Sequence, residues 1–269
     1  MKLSLKRLNF YLTYLRLRLA SLCYSFRRHN SREQYGSVPL SRDKAYVCQH
    51  SACFFHALMP NLVPQFNGAS CSVASVATVL NTACFLSQKK GKKGPITQAE
   101  ILDTVDVVHW KERVSSKGYS GRRGLPIEIL GLAVEGSLKA FNIPYERVDV
   151  VALHPEMPEI GKRMEELKQR LVKFEKIKDT FLIAHFNQGI FTGGIHLPHI
   201  SPVGAYDDEK NRVLILDVDP EQAEPYWVSF ETFFEGLSWG YHGILKRFGY
   251  IGGGYVWIRL KPDNAATSL

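Results

Sequence analysis

No stretch of 18 consecutive apolar residues occurs in this sequence, so no segment reads as a membrane-spanning helix. Internal repeats are missing too. The 21 glycines and 13 prolines follow no period, which excludes collagen-like and solenoid architectures. No Asn-x-Ser/Thr sequon appears. Cysteine is sparse and odd in number (Cys23, Cys48, Cys53, Cys71 and Cys84), which argues against a disulfide framework and leaves at least one thiol unpaired. Acid is absent from residues 1–32, which hold eight basic side chains. The rest of the chain balances, with 26 basic residues against 26 acidic ones. The pI of 9.2 therefore belongs to an N-terminal arm and gives no reason to expect a nucleic-acid partner.

What is present is ordinary globular composition: 269 residues, 45% hydrophobic and 12% aromatic. The sequence divides into a basic extension, residues 1–32, and a folded domain, residues 33–269. Arg16 and Arg18 interrupt the apolar character of the arm, at a cost of roughly 2.5–3.5 kcal/mol each inside a bilayer. Two readings stay open: an amphipathic helix lying on an anionic membrane surface, and an organelle presequence. The expected location is cytoplasmic or at a membrane periphery.

In the domain, residues 33–66 read as irregular, with a short apolar stretch at Phe54–Met59. Residues 71–86 are small and apolar and predict a buried helix. The lysine-rich loop at 88–95 reads as a solvated turn. Thr97 and Glu100 form a capping-box pattern for a helix reaching about His109. Residues 111–124 read as polar loop, Pro126–Phe141 as a helix, and 159–178 as a strongly amphipathic helix. Then the pattern changes. Residues 180–186, 199–206, 212–218 and 255–260 are strand-like, with a hairpin loop at Asp207–Asn211 and a bend at glycines 252–254. Helices followed by a mainly antiparallel sheet is an α+β layout.

Four residues carry candidate chemistry. Cys71 stands where a loop becomes a helix, so free backbone N–H groups and the positive dipole end favour its thiolate form, the form that attacks. His199 opens one strand. Asp217 lies on the next, where antiparallel pairing can set a carboxylate beside the imidazole and orient it. Gln65 precedes Cys71 by six residues, and its amide together with the Cys71 N–H can hold an oxyanion. The order Cys, His, Asp, with that glutamine offset, resembles papain-like enzymes.

The resemblance sharpens to a family. The segment QFNGASCSVASVATVLNTA (65–83) resembles the nucleophile segment of phytochelatin synthase, and HISPVGAYDDEKNRVLILDV (199–218) resembles its histidine and aspartate strands. EPYWV (224–228) is similar to the motif that follows them. The likeness implies a papain-like fold. It also implies roles: Cys71 as nucleophile, His199 as general base and acid, Asp217 as orienting group and Gln65 as oxyanion donor. The implied substrate is glutathione, cleaved at its Cys–Gly bond through a thioester. The acyl group then passes to water or to a second glutathione, and the half-length form favours hydrolysis. No cofactor is implied for acylation. Cadmium or zinc ions enter as thiolate complexes of the substrate, and a homodimer is compatible.

Two alternatives stay beside this one. Pro220 stands where the family carries arginine, which keeps a papain-like peptidase of other specificity in view. A non-catalytic, membrane-associated thiol- or metal-binding protein is the second. Cys48, His50, Cys53 and His56 form a C-x-H-x2-C-x2-H cluster of metal-ligand types, but the spacing fits no common zinc module, and no metal site is assigned to it.

Overall fold

The computed structural model describes residues 36–50, 54–87, 94–177 and 179–261. The basic arm, Cys23, Cys53 and most of the lysine-rich loop lie outside them. One sheet of seven strands organises the domain, in the order β1-β6-β5-β4-β3-β7-β2, and every pairing is antiparallel. The strands are β1 (Val38–Pro39), β2 (Tyr145–Leu153), β3 (Thr180–Asn187), β4 (Pro198–Asp207), β5 (Arg212–Ile215), β6 (Tyr226–Ser229) and β7 (Gly253–Leu260). The architecture is α+β.

The helix Cys71–Leu86 begins and ends where the sequence predicts, and it is buried from Cys71 through Ala83. A helix that is apolar all round belongs inside. Its polar residues are satisfied there. The hydroxyls of Ser75, Thr78 and Thr82 donate to carbonyls four residues back, at 2.8, 2.9 and 2.7 Å. Asn81 clamps both backbone polar groups of Ile96. Ser75 Oγ also reaches the Ile200 carbonyl at 3.0 Å, fixing this helix against β4. Helix Ile160–Lys176 is amphipathic as predicted and turns Leu167, Leu171 and Phe174 inward.

Elsewhere the structure departs from the sequence pattern. Residues 33–66, expected to be irregular, contain short helices at Ala45–Gln49 and Phe55–Leu58. The helix capped by Thr97 stops at Thr104, where Val105 turns extended, and positive φ at Val108 and His109 then redirects the chain. Within the expected loop 111–124 lies part of a helix, Trp110–Val114, anchored by its buried tryptophan. Strand β2 carries too many charged residues to show as a strand, since it is an edge strand with half its side chains toward solvent. Helix Phe230–Ser238 was hidden in a run of aromatics. The glycines at 252–254 do more than bend the chain. A Cβ at Gly252 would stand 1.9 Å from the Leu153 carbonyl oxygen, and one at Gly253 would stand 2.3 Å from that of His185. Neighbouring strands can approach β7 only because those side chains are missing.

One irregularity positions the site. Asp207 pairs with Arg212 and Ala205 with Leu214, but Val203 then pairs with Ile215, so Gly204 is an extra residue on β4. Beyond this bulge the β4 side chains change faces relative to β5. Ser201 thereby comes opposite Asp217, and His199 lies diagonal to it on the same face.

Candidate active site

Of the four sequence-predicted residues the fold brings three together: Cys71 at a helix start, His199 on β4, and Asp217, which lies two residues past the end of β5 and not on the strand expected for it. His199 Nε2 donates to Asp217 Oδ1 at 2.7 Å, and both side chains are buried. The Cys71 side chain is in hydrogen-bonding reach of the same ring. Burial pushes the imidazole toward its neutral form, but the Asp217 carboxylate and the thiol outweigh it and hold the His199 pKa well above the ordinary histidine value. Burial likewise pushes Asp217 up, yet His199, the Tyr226 hydroxyl and the Asp219 N–H bring its pKa below the usual carboxylate value.

Asp217 is held from several directions. Tyr226 Oη donates to Oδ2 at 2.6 Å, and the Asp219 N–H donates to Oδ1 at 2.9 Å. Gln188 Nε2 lies between Asp217 and Asp219, at 3.4 and 3.2 Å. Ser201 Oγ accepts from the Val218 N–H at 3.2 Å and stands 3.1 Å from His199 Nε2. Tyr226 and Gln188 were not foreseen from sequence, though Tyr226 falls inside the EPYWV segment. A carboxylate with so many donors cannot rotate away from the imidazole.

Gln65 lies on the loop leading into the helix. Its backbone N–H donates to the Val218 carbonyl at 2.7 Å, next to Asp217, and its side-chain Oε1 is buried without a protein partner. The loop is wound tight below Cys71. The N–H groups of Phe66 and Asn67 both donate to Ser70 Oγ, and Asn67 Oδ1 accepts from Ala69. Ser72, beside Cys71, accepts from Trp110 Nε1 at 2.9 Å in the interior.

His196 is placed elsewhere. Asn187 Nδ2 donates to its Nδ1 at 3.0 Å, and its ring stacks on Trp239 at 4.9 Å. Pro220 opens a turn capped by Asp219. In the cysteine–histidine cluster, His50 and His56 each direct a ring nitrogen at a backbone carbonyl, of Tyr46 and Val47 respectively. Among the described residues, Cys48, Cys71 and Cys84 are free thiols, and no group of three His, Cys, Asp or Glu side chains could hold a metal ion. No helix of the described residues is long and apolar enough to cross a membrane.

A thiol, an imidazole and a carboxylate in sequence are equipped for acyl transfer, and comparison with known proteins supplies the family. The family model described as phytochelatin synthase matches residues 43–240, and the chain belongs to that family. Glutathione gamma-glutamylcysteinyltransferase 1 of Arabidopsis thaliana is 25% identical over 201 residues, covering 73% of this chain and 36% of the relative. The protein of that name in Triticum aestivum is 24% identical over 188 residues, covering 68% and 32%. The chain thus spans about a third of the length of the curated relatives it matches.

Proposed function

We propose that this protein is a papain-like thiol acyltransferase and hydrolase that cleaves the Cys–Gly bond of glutathione. The observation that carries the reading is the buried 2.7 Å His199–Asp217 pair with the Cys71 side chain in hydrogen-bonding reach of the same imidazole. In the first step Cys71 attacks the cysteinyl carbonyl carbon as the thiolate, its proton already resting on His199 as the imidazolium. The Cys71 N–H and the Gln65 side-chain amide take the developing oxyanion. Collapse breaks the C–N bond, His199 returns the proton to the glycine nitrogen, and glycine leaves. A γ-glutamylcysteinyl thioester remains on Cys71.

In the second step His199 deprotonates the acceptor, and Cys71 is released as thiol. Water as acceptor gives γ-glutamylcysteine, and the amine of a second glutathione gives the longer peptide. We expect hydrolysis to dominate, because a peptide acceptor competes only when a site holds it in attack geometry, whereas water needs none. The names of the two plant relatives support the substrate. For the arm at 1–32 the proposal is attachment to anionic lipid, where each basic residue near the surface adds about 1 kcal/mol. Deleting it should abolish co-sedimentation with anionic vesicles and leave turnover unchanged.

The test of the reaction is mass spectrometry of purified protein mixed with glutathione. Wild type should release glycine and carry the acyl mass. Cys71→Ala should do neither, while Cys48→Ala and Cys84→Ala should do both. Glycine release by Cys71→Ala, or none by wild type, would refute the reading.

A further inference from the structure

Near the start of the Cys71 helix lies a cation that the mechanism above does not use. The segment following Val108 is fixed against the Cys71 helix at two points: Trp110 Nε1 on Ser72 Oγ, and Asn67 Nδ2 on the Val114 carbonyl at 3.1 Å. Arg113 sits between these anchors. Its Nε donates to the Val108 carbonyl at 2.9 Å, and its guanidinium lies 5.7 Å from the centre of the Tyr119 ring. One terminal nitrogen, Nη1, is buried with no acceptor. Among the described residues no carboxylate pairs with it.

Tyr250 links this cation to the nucleophile. The charges of both Cys71 and Arg113 act on its hydroxyl, which donates to the Arg123 carbonyl at 3.0 Å. Behind it, the Tyr250 ring stacks on His185 at 5.8 Å and meets Tyr241 edge-on at 6.1 Å. The Tyr241 hydroxyl is also buried and unpartnered among the described residues. Orphaned polar atoms are costly and rare in an interior, so the unpartnered Arg113 nitrogen and Tyr241 hydroxyl near one tyrosine mark a place for a polar ligand. The electrostatics name its sign. Residues 111–124 carry five basic side chains and one acidic one, and of these Lys111 is already paired with Asp103 at 2.6 Å.

We propose that Arg113 binds a carboxylate of the substrate and thereby sets specificity for an anionic thiol peptide. The proposal rests on the glutathione reading above. Glutathione carries two carboxylates, one on glycine and one on the γ-glutamyl α-carbon. Either presents the two oxygens that a guanidinium fork matches.

The experiment measures KM and kcat of the full chain for three substrates: glutathione, its glycyl monoethyl ester, and 4-aminobutanoyl-cysteinyl-glycine, which lacks the α-carboxylate. Arg113→Gln should raise KM for glutathione about tenfold or more, with kcat within about threefold. For the analogue that lacks the recognised carboxylate, wild type and Arg113→Gln should have equal KM, which also tells which carboxylate is read. Arg113→Lys, a point charge without the fork, should give an intermediate KM for glutathione. It carries the same three-substrate comparison if melting curves show the Gln variant unfolded. Equal losses on all three substrates, or an unchanged KM for glutathione, would overturn the proposal while wild-type turnover leaves the enzyme reading standing. Absence of glycine release by wild type would instead remove both.

Discussion

Strand β4 buries ionisable groups at both of its ends, and the two ends treat them differently. At the end near Pro198, His199 and Asp217 are buried together, and each keeps the other charged. At the far end, Asp207 and Asp43 share Arg212, at 2.9 and 2.6 Å, and Lys210 adds to Asp43 at 3.0 Å. Those pairs tie the N-terminal segment onto the sheet. Glu175 lies beside them, and among the described residues no lysine or arginine pairs with it. Its carboxylate accepts the Tyr206 N–H, and burial pushes its pKa up to about 7 despite help from Tyr46 and His50. The lesson is that burial alone discharges a carboxylate, and burial beside a fitted cation preserves it. Among the described residues the one histidine–carboxylate pair is the one that the proposed reaction uses.

The strongest way to break this contrast is His199→Ala. It removes the base and the cation that holds Asp217 ionised, and turnover of glutathione should fall by about 10⁴-fold. His196→Ala should change turnover less than about threefold, because that ring rests on Trp239 and Asn187; a reversed ranking in steady-state kinetics would show the wrong histidine to be the base. Next comes Asp217→Asn, with a loss of about 10²-fold or more. It also shifts the pH profile: without the carboxylate the His199 pKa drops, so the alkaline limit for the imidazolium form moves to lower pH. An unmoved profile would mean Asp217 does not support the charge.

Gly204→Ala tests what separates the two ends. A Cβ there would stand 2.8 Å from Leu216 Cγ, beside Asp217. Overpacking should cost about 1–3 kcal/mol in melting experiments. Activity should fall by about tenfold as Asp217 is displaced, since small misplacements are costly.

The smallest effect on catalysis belongs to Glu175→Gln, which should leave kcat unchanged and alter only the pH dependence of stability. A carboxyl whose folded pKa is raised contributes stability that is fully present below the unfolded value near 4.5. That stability is lost as pH rises through about 7. The variant should therefore match wild type near pH 4. At pH 8 it should be more stable by on the order of 1–3 kcal/mol. Equal pH slopes in thermal melts would count against it.

Much of this was legible in the sequence where one face or one turn decided the outcome. The helix at 71–86 announced itself by small apolar residues and the absence of glycine and proline. The strand of His199, the strand that leads to Asp217, and the turn joining them showed through composition. What stayed hidden depended on neighbours. Strand β2 looks polar because only one sheet partner covers it. The helix at 110–114 is held by Trp110 bonding to a serine 38 residues earlier. The orphaned nitrogen of Arg113 has no sequence signature, since only packing reveals which cation lacks a partner. Gln65 was nominated by its offset, but offset alone says nothing about where its amide points.

The bulge at Gly204 can be restated as a matter of counting. In a regular antiparallel hairpin, the interval between facing residues keeps the parity set at the closing pair. Asp207 and Arg212 are five apart, so every facing interval should be odd. His199 and Asp217 are 18 apart, an even number, and still share a face. Exactly one unpaired residue reconciles the two counts. The spacing of two side chains, set against the length of the loop between them, therefore encodes a kink that no single residue advertises. It also makes chain length a constraint: adding or removing one residue between His199 and Asp217, with the bulge kept, would present a neighbouring aliphatic side chain to the imidazole in place of the carboxylate.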